Sequence, residues 1–305
     1  SLGGGETHSS TSGLSHLLAA NEKEALEYVR KALSYLPSNG MENPPVQADA
    51  PSALSLVEEL NHIIPSDPTA AYSMHELIGL VVDADSFFEI MPLFARNMIV
   101  GFARIGGFSV GVVGQEPMQM AGVIDMDAAD KMARFVRLCD CYNVPLVTFV
   151  DSPGFLPGSD QEHRGIIRHG AKALFAYSEA TVAKISVVTR KAYGGAYDVM
   201  ASKHIRADMN FAYPTAEIAV MGPDGAVSIV FRNELRDASD PAARRVELEA
   251  EYREKFANPF KAAELGYIDE VIKPEETRVK IIRSLEMLQN KRDQNPPKKH
   301  GLFPA

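Results

Sequence analysis

Apolar residues recur at three- and four-residue intervals in "AANEKEALEYVRKALSYL", at Ala25, Leu26, Val29, Leu33 and Leu36. That spacing predicts a helix of roughly five turns, stopped by Pro37. Ahead of it, residues 1–13 are rich in Gly, Ser and Thr and read as a flexible leader. From Pro37 to Pro68 the periodicity is weak and Pro, Asn and Asp are frequent, so an extended linker is expected, with the domain boundary inside it. Beyond the linker, "MHELIGLVVD" reads as a short helix, and "NMIVGFARIGGFSVGVVGQ" sets two β-forming runs around Gly106–Gly107, which predicts a hairpin. "AADKMARFVRLCDCYN" is amphipathic, with Met132, Phe135, Val136, Leu138 and Cys139 on or near one face.

"VPLVTFVD" and "AKISVVTR" are continuous apolar runs, the pattern of strands buried on both faces. Helices are expected at "HGAKALFAYSEAT" and "AYDVMASKH", and shorter strands near "NFAYP", "EIAVMG" and "GAVSIVFRNEL". A polar helix capped by Asp240, with Pro241 at its first position, and a long amphipathic helix in "ETRVKIIRSLEMLQNKR" complete the pattern. Strands alternating with helices predict an α/β fold. The early hairpin and uneven strand lengths favour a mixed arrangement with ββα units over a clean doubly wound sheet.

Composition narrows the function classes. The chain has 305 residues, 46% hydrophobic and 23% charged, ordinary for a soluble globular protein, and it holds no apolar run long enough for a membrane partner. The net charge of −9 is uneven: residues 1–75 hold nine acidic and three basic side chains, −6, leaving −3 for the rest. No basic stripe offers itself to nucleic acid. Cys139 and Cys141 are two apart in a helical run, where side chains diverge, so buried thiols in a reducing compartment are expected rather than a disulfide or metal pair. The location expected is cytoplasmic, or the mitochondrial matrix in a eukaryote.

The candidate chemistry lies just past the two buried strands. "TFVDSPGFLPG" places Pro153, Gly154 and Phe155 there, and "VVTRKAYGGAYD" places Gly194, Gly195 and Ala196. Ligands of α/β folds bind where strands end and helices begin, since helix N-termini offer unpaired donors and glycine admits close approach. A pair of such N–H groups can form an oxyanion hole, in which losing one donor costs ~3 kcal/mol. Packing of helix against strand explains Gly194–Gly195 equally well from the local sequence. Ser152 precedes Pro153 outside any nucleophile elbow and reads as a turn residue. His163, His169 and His204 are scattered without ligand spacing, so no metal is expected. Asp151, at a strand end, reads as the cap of the next turn, Glu162 and Glu217 as structural or interfacial, and Arg168–His169 as a pocket lining or a helix-face salt bridge. The chain shows no obvious general base, which suggests that a base arrives with a cofactor.

At these loops the chain resembles the β subunit, the carboxyltransferase, of biotin-dependent acyl-CoA carboxylases of the propionyl-CoA carboxylase type. "FFEIMPLFARNMIVGFARIGG", "ARFVRLCDCYNVPLVTFVDSPGFLPG", "GIIRHGAKALFAYSEATVAKISVVTRKAYGGAYDVMASKH", "YPTAEIAVMG", "KFANPF" and "KKHG" all look like family segments in family order. The resemblance implies a crotonase-like spiral of ββα units. Residues 1–39 would be the helical tail of the N-terminal carboxyltransferase domain, 40–75 a linker and 76–305 the C-terminal domain. It also implies that the Gly/Ser leader is ordered.

In that family carboxybiotin on a carrier subunit gives up its carboxyl group to the α-carbon of an acyl-CoA, and two anions develop, an enolate and a ureidate. The resemblance places the thioester oxyanion hole in the N-terminal domain and the biotin hole on the backbone N–H groups of Gly195 and Ala196. Gly194, Pro153, Gly154 and Phe155 would help bind biotin, and Asp198 would influence acyl length. Partners implied are a biotin carboxylase and carrier subunit, the N-terminal domain, and further copies in a hexamer. An α subunit of a decarboxylase or transcarboxylase, or a non-catalytic assembly module, are the alternatives; an aspartate at 198 favours the carboxylase branch. His163 and Arg164 stand where relatives carry Tyr and Gly, Ser152 where Val is typical, and Tyr213 where Trp is.

Overall fold

Gly106 and Gly107 adopt φ of 59° and 81° between Ile105 and Phe108, which face each other across two antiparallel strands, β2 (Met98–Ile105) and β3 (Phe108–Gln115). Two consecutive positive φ values give a turn whose twist matches that of the strands, and the hairpin is where the sequence places it. In the computed structural model, which describes residues 2–47 and 55–304, this hairpin opens an eight-stranded sheet. A short strand, β1 (Phe88–Ile90), pairs with β2, and β3 continues in parallel to β4 (Leu146–Ser152) and β5 (Lys184–Tyr193). Strand β5 then forks: its first half pairs with β6 (Met209–Ala212), its last three residues with β7 (Glu217–Ala219). A two-residue strand, β8 (Glu270–Val271), closes the far edge beside β6.

Both faces of the sheet are covered, which is why β4 and β5 are apolar on both sides. Helices Met126–Cys141 and Ile166–Glu179 bury Met132, Phe135, Val136 and Tyr177 on one face. Helices Met74–Val81 and Thr277–Leu288 bury Leu77, Ile78, Ile281 and Leu285 on the other. The mixed α/β architecture is as the alternation of runs predicts.

Several local expectations change. The leader is ordered, not flexible: Gly5–Ser10 is helical, Ser9 is buried, and the Phe94 ring lies where a Cβ on Gly13 would stand, 2.6 Å from it. The next helix spans Glu22–Leu33, shorter than expected, and Leu26, Val29 and Leu33 remain exposed on it. "GAVSIVFRNEL" is not a strand but two helices, Pro223–Val230 and Arg232–Asp237. Pro223 at the first helical position starts the first, and Ala226 and Val227 are its buried face. The helix expected at "AYDVMASKH" starts earlier, at Gly194, and ends at Asp198; Ala201, at φ 53°, cannot continue it. Of the two cysteines only Cys139 is buried, while Cys141 is exposed.

The segment expected as a linker is strapped to the sheet where it is described. Val46 bridges to Phe108, Gln47 N–H donates to Gly107, and the Arg104 guanidinium donates to the carbonyls of Pro45 and Ser34. Residues 48–54 of it lie outside the described residues. Leu60, in the 3-10 turn Glu58–His62, is fully buried.

Candidate functional site

Strands β4 and β5 are parallel neighbours, so both candidate loops emerge at the same sheet end. The pairing shifts register after Val150, and Ser152 meets Ala192. Beside that irregularity lies a buried ion pair, Asp151 Oδ2 to Arg190 Nε at 3.0 Å, and Asp151 Oδ1 also accepts from Lys191 N at 3.1 Å. Burial raises the Asp151 carboxyl above its ordinary range, against the pull of Arg190. Asp151 is therefore a fastener of the shifted strands rather than the cap of the next turn, and Glu217 is another fastener: it accepts from the Tyr193 hydroxyl and from Arg253 Nε at 3.1 Å.

After β4 the chain turns through Gly154 at φ 146°, and the loop is pinned where Ile124 N–H donates to Gly154 and Leu156 N–H donates to Ile124. The Phe155 ring then fills the space above Gly170, where a Cβ would stand 2.9 Å from it, and its far edge reaches Gly195. After β5 the chain enters the helix Gly194–Asp198 directly. Gly194, Gly195 and Ala196 are its first three residues, whose N–H groups no preceding turn can accept. Tyr193, ahead of them, supplies no side-chain cap, and no turn, cap or side-chain acceptor takes the N–H of Gly195 or Ala196 among the described residues.

The two glycines differ. Gly194 sits at φ 55°, and a Cβ there would lie 2.8 Å from the Val220 carbonyl oxygen, so helix and strand β7 require it. Gly195 has no positive φ, and its Cβ would meet only Phe155 at 4.0 Å. Packing thus explains Gly194 and leaves Gly195 free of any local steric demand. Gly195 is exposed, at the rim of a cavity of about 660 Å³ also lined by Gly194, Asp198, Ile218, Tyr252 and Tyr267. Pro153, Gly154 and Phe155 do not line that cavity, although the Phe155 ring lies 4.0 Å from where a Cβ on Gly195 would stand.

His204, which the sequence left unassigned, lines the cavity with Nε2 3.9 Å from Asp198 Oδ1. It sits on the 3-10 turn Lys203–Ile205, whose position against Asp198 depends on the chain reversal at Ala201 and leaves no periodic trace. The other histidines stay apart from the site. His169 Nδ1 lies 2.9 Å from Asp130 on the neighbouring helix Met126–Cys141, and Arg168 is exposed. Arg164 pairs with Asp160 at 3.4 Å and is exposed with His163 and Glu162. Tyr213 is fully buried, its hydroxyl 2.9 Å from Thr277, so that departure lies in the core. Ser152 is also buried. Among the described residues no cluster of three His, Cys, Asp or Glu could hold a metal, and no helix is long and apolar enough to cross a membrane.

Known proteins are similar to this chain in sequence and fold. The carboxyl transferase domain family matches residues 1–303. The propionyl-CoA carboxylase carboxyltransferase subunit of Haloferax mediterranei is 54% identical over 99% of this chain and 59% of its own length. The methylmalonyl-CoA decarboxylase subunit alpha of Propionigenium modestum is 48% identical over 99% of this chain and 59% of its own. Among solved structures, transcarboxylase 12S, a hexamer described with methylmalonyl-coenzyme A bound, superimposes with a TM-score of 0.96 at 46% identity, over 100% of this chain and 58% of its own. The fold is that of a crotonase-like carboxyltransferase. The chain spans under two thirds of the length of each of these relatives, and over nearly all of its own length it belongs to the carboxyl transferase family.

Proposed function

We propose that this chain supplies the biotin-side half of a carboxyltransferase site, at which a carboxyl group passes from carboxybiotin to the α-carbon of propionyl-CoA or a similar short acyl-CoA. The observation that carries the reading is Gly195: a residue without a Cβ where the fold does not ask for one, with its N–H and that of Ala196 unclaimed. Two donors on a short, rigid helix start are suited to negative charge developing on a carbonyl oxygen, and a partner that excludes water would strengthen them. When bound, carboxybiotin would supply the carboxyl group and a base. The protein's own part is to hold that ligand's carbonyl oxygen on Gly195 and Ala196, with Gly194 setting the turn and Phe155 walling the approach. Asp198, in the adjoining cavity, is proposed to discriminate acyl length.

The thioester side is assigned to an N-terminal carboxyltransferase domain, to which residues 1–39 are proposed to belong, with 40–75 joining it to 76–305. A biotin carboxylase and carrier subunit, and a hexamer of subunits, are the proposed partners; the similar transcarboxylase 12S is itself a hexamer. An aspartate at 198 favours the carboxylase over the decarboxylase reading. Mixing this chain with the separate N-terminal domain, carboxylated carrier and propionyl-CoA should yield carboxyl transfer above that of either part alone. Correctly folded halves that show no gain on mixing would refute the reading.

A further inference from the structure

The cavity beside Gly195 has two walls of different origin. Gly194, Gly195 and Val220 belong to the sheet end, whereas Phe231, Tyr252 and Phe256 belong to a lobe built from the helices Pro223–Val230, Arg232–Asp237 and Pro241–Lys255. These helices hold mainly to one another. Arg245 Nη1 lies 2.7 Å from Asp224 Oδ1 and Arg244 Nη2 2.6 Å from Glu234 Oε1, and the lobe's buried Ala226, Val227 and Leu248 belong to neither of the two cores that flank the sheet. Among the described residues a single side-chain hydrogen bond joins lobe to sheet: Arg253 Nε donates to Glu217 Oε1, on strand β7, at 3.1 Å.

The other oxygen of that carboxylate accepts from the Tyr193 hydroxyl. Tyr193 is the last residue of β5, directly ahead of Gly194, and a Cβ on Gly222 would stand 3.1 Å from its ring, so the ring is wedged where the chain leaves the sheet for the lobe. Arg253 follows Tyr252, whose ring lines the cavity and meets that of Phe256 at 5.5 Å. Glu217, only 14% exposed, therefore reaches from the residue before the donor pair to the residue beside the opposite wall. Its two partners offset the cost of taking a carboxylate out of water. A lobe packed outside the main cores opens locally at low cost, so one charge-assisted bond weighs heavily on where it stands.

We infer that Glu217 is a positioning residue, which sets the width of the cavity by tying the helical lobe to the strand end that presents Gly195. The inference rests on the reading above, in which the ligand's carbonyl oxygen meets Gly195 and Ala196. Through Arg253 the carboxylate governs how closely the lobe wall meets the ligand, and through Tyr193 where the amides stand.

The test uses the full-length subunit, with the carboxylated carrier varied at saturating propionyl-CoA. Arg253→Met cuts the lobe side alone and keeps the length of the stem, Arg253→Lys returns a donor, and Glu217→Ala cuts both sides. In Arg253→Met the KM for the carrier should rise about 3- to 10-fold, the scale of one half-exposed charged hydrogen bond, with kcat within about twofold of the parent. Arg253→Lys should recover most of that rise, and Glu217→Ala should raise KM and lower kcat together. Hydrogen exchange in Arg253→Met should quicken at the amides of residues 223–257 and stay as in the parent along β4 and β5. An unmoved KM in Arg253→Met, or a rise that Arg253→Lys does not reduce, would overturn the inference. So would exchange that quickens throughout the sheet, since it would show a general loss of stability. If the unsubstituted protein transfers no carboxyl group, the functional reading fails and the positioning role with it; transfer with an unmoved KM in Arg253→Met sinks the inference alone.

Discussion

The backbone of Gly194 passes so close to the carbonyl oxygen of Val220 that a Cβ on it would stand 2.8 Å away. That contact locks the start of the helix Gly194–Asp198 against the end of strand β7, and it fixes where the next two N–H groups stand.

The two glycines should therefore respond in opposite ways to alanine. Gly194→Ala adds a side chain at positive φ and a clash, and should lower stability by about 2 kcal/mol or more in denaturant unfolding. Gly195→Ala should leave the unfolding midpoint nearly unchanged, since its Cβ meets Phe155 at ordinary distance, yet it should lower carboxyl transfer by crowding the ligand. Equal losses of stability would contradict the distinction.

Asp151 and Arg190 are both buried and paired at 3.0 Å. Asp151→Ala strands the guanidinium and should cost about 3–5 kcal/mol, the usual penalty for half a buried pair. Denaturant titration of the variant checks this; a loss under about 1 kcal/mol would mean that the pair does not fasten the register shift of β4 on β5.

His75 lies between two carboxylates, Nδ1 2.8 Å from Glu116 and Nε2 3.0 Å from Glu89. The hydrogen bond to Glu116, then that to Glu89, raises its pKa to about 9. A folded-state value above the ordinary one near 6.5 means stability that is complete below that value and lost as pH rises through about 9. The urea midpoint should fall across that window, and the fall should flatten in His75→Gln. A parent protein whose midpoint is level from pH 6 to 9 would rule out the linkage.

The exposed Cys141 thiol should react with a disulfide reagent in the native protein, while Cys139, buried and with its thiol pushed well up by that burial, should react only on unfolding. Counting labelled thiols with and without denaturant checks both.

Elements whose burial follows a simple period were legible in the sequence. The Gly106–Gly107 hairpin, the doubly buried β4 and β5, and the helix Met126–Cys141 all lie where their patterns place them. "GAVSIVFRNEL" misled because β-branched residues fill a helix whose start is marked by Pro223 alone. Strands β1 and β8, three and two residues long, have too few positions to show a period. At the site, the glycine pair was visible but its two members were not separable, since only the position of Val220 tells them apart. His204 joins Asp198 through a reversal at Ala201, and such a meeting is invisible to spacing.

The most direct test of the account is carboxyl transfer by the full-length protein carrying Gly195→Pro, which deletes one of the two donors in the first helical turn. With assembly checked by native mass and with carboxylated carrier and propionyl-CoA supplied, the rate should fall about 10²- to 10³-fold, the usual loss for one oxyanion donor. A properly assembled variant that transfers at the parent rate would contradict the claim that these main-chain amides face the reacting ligand.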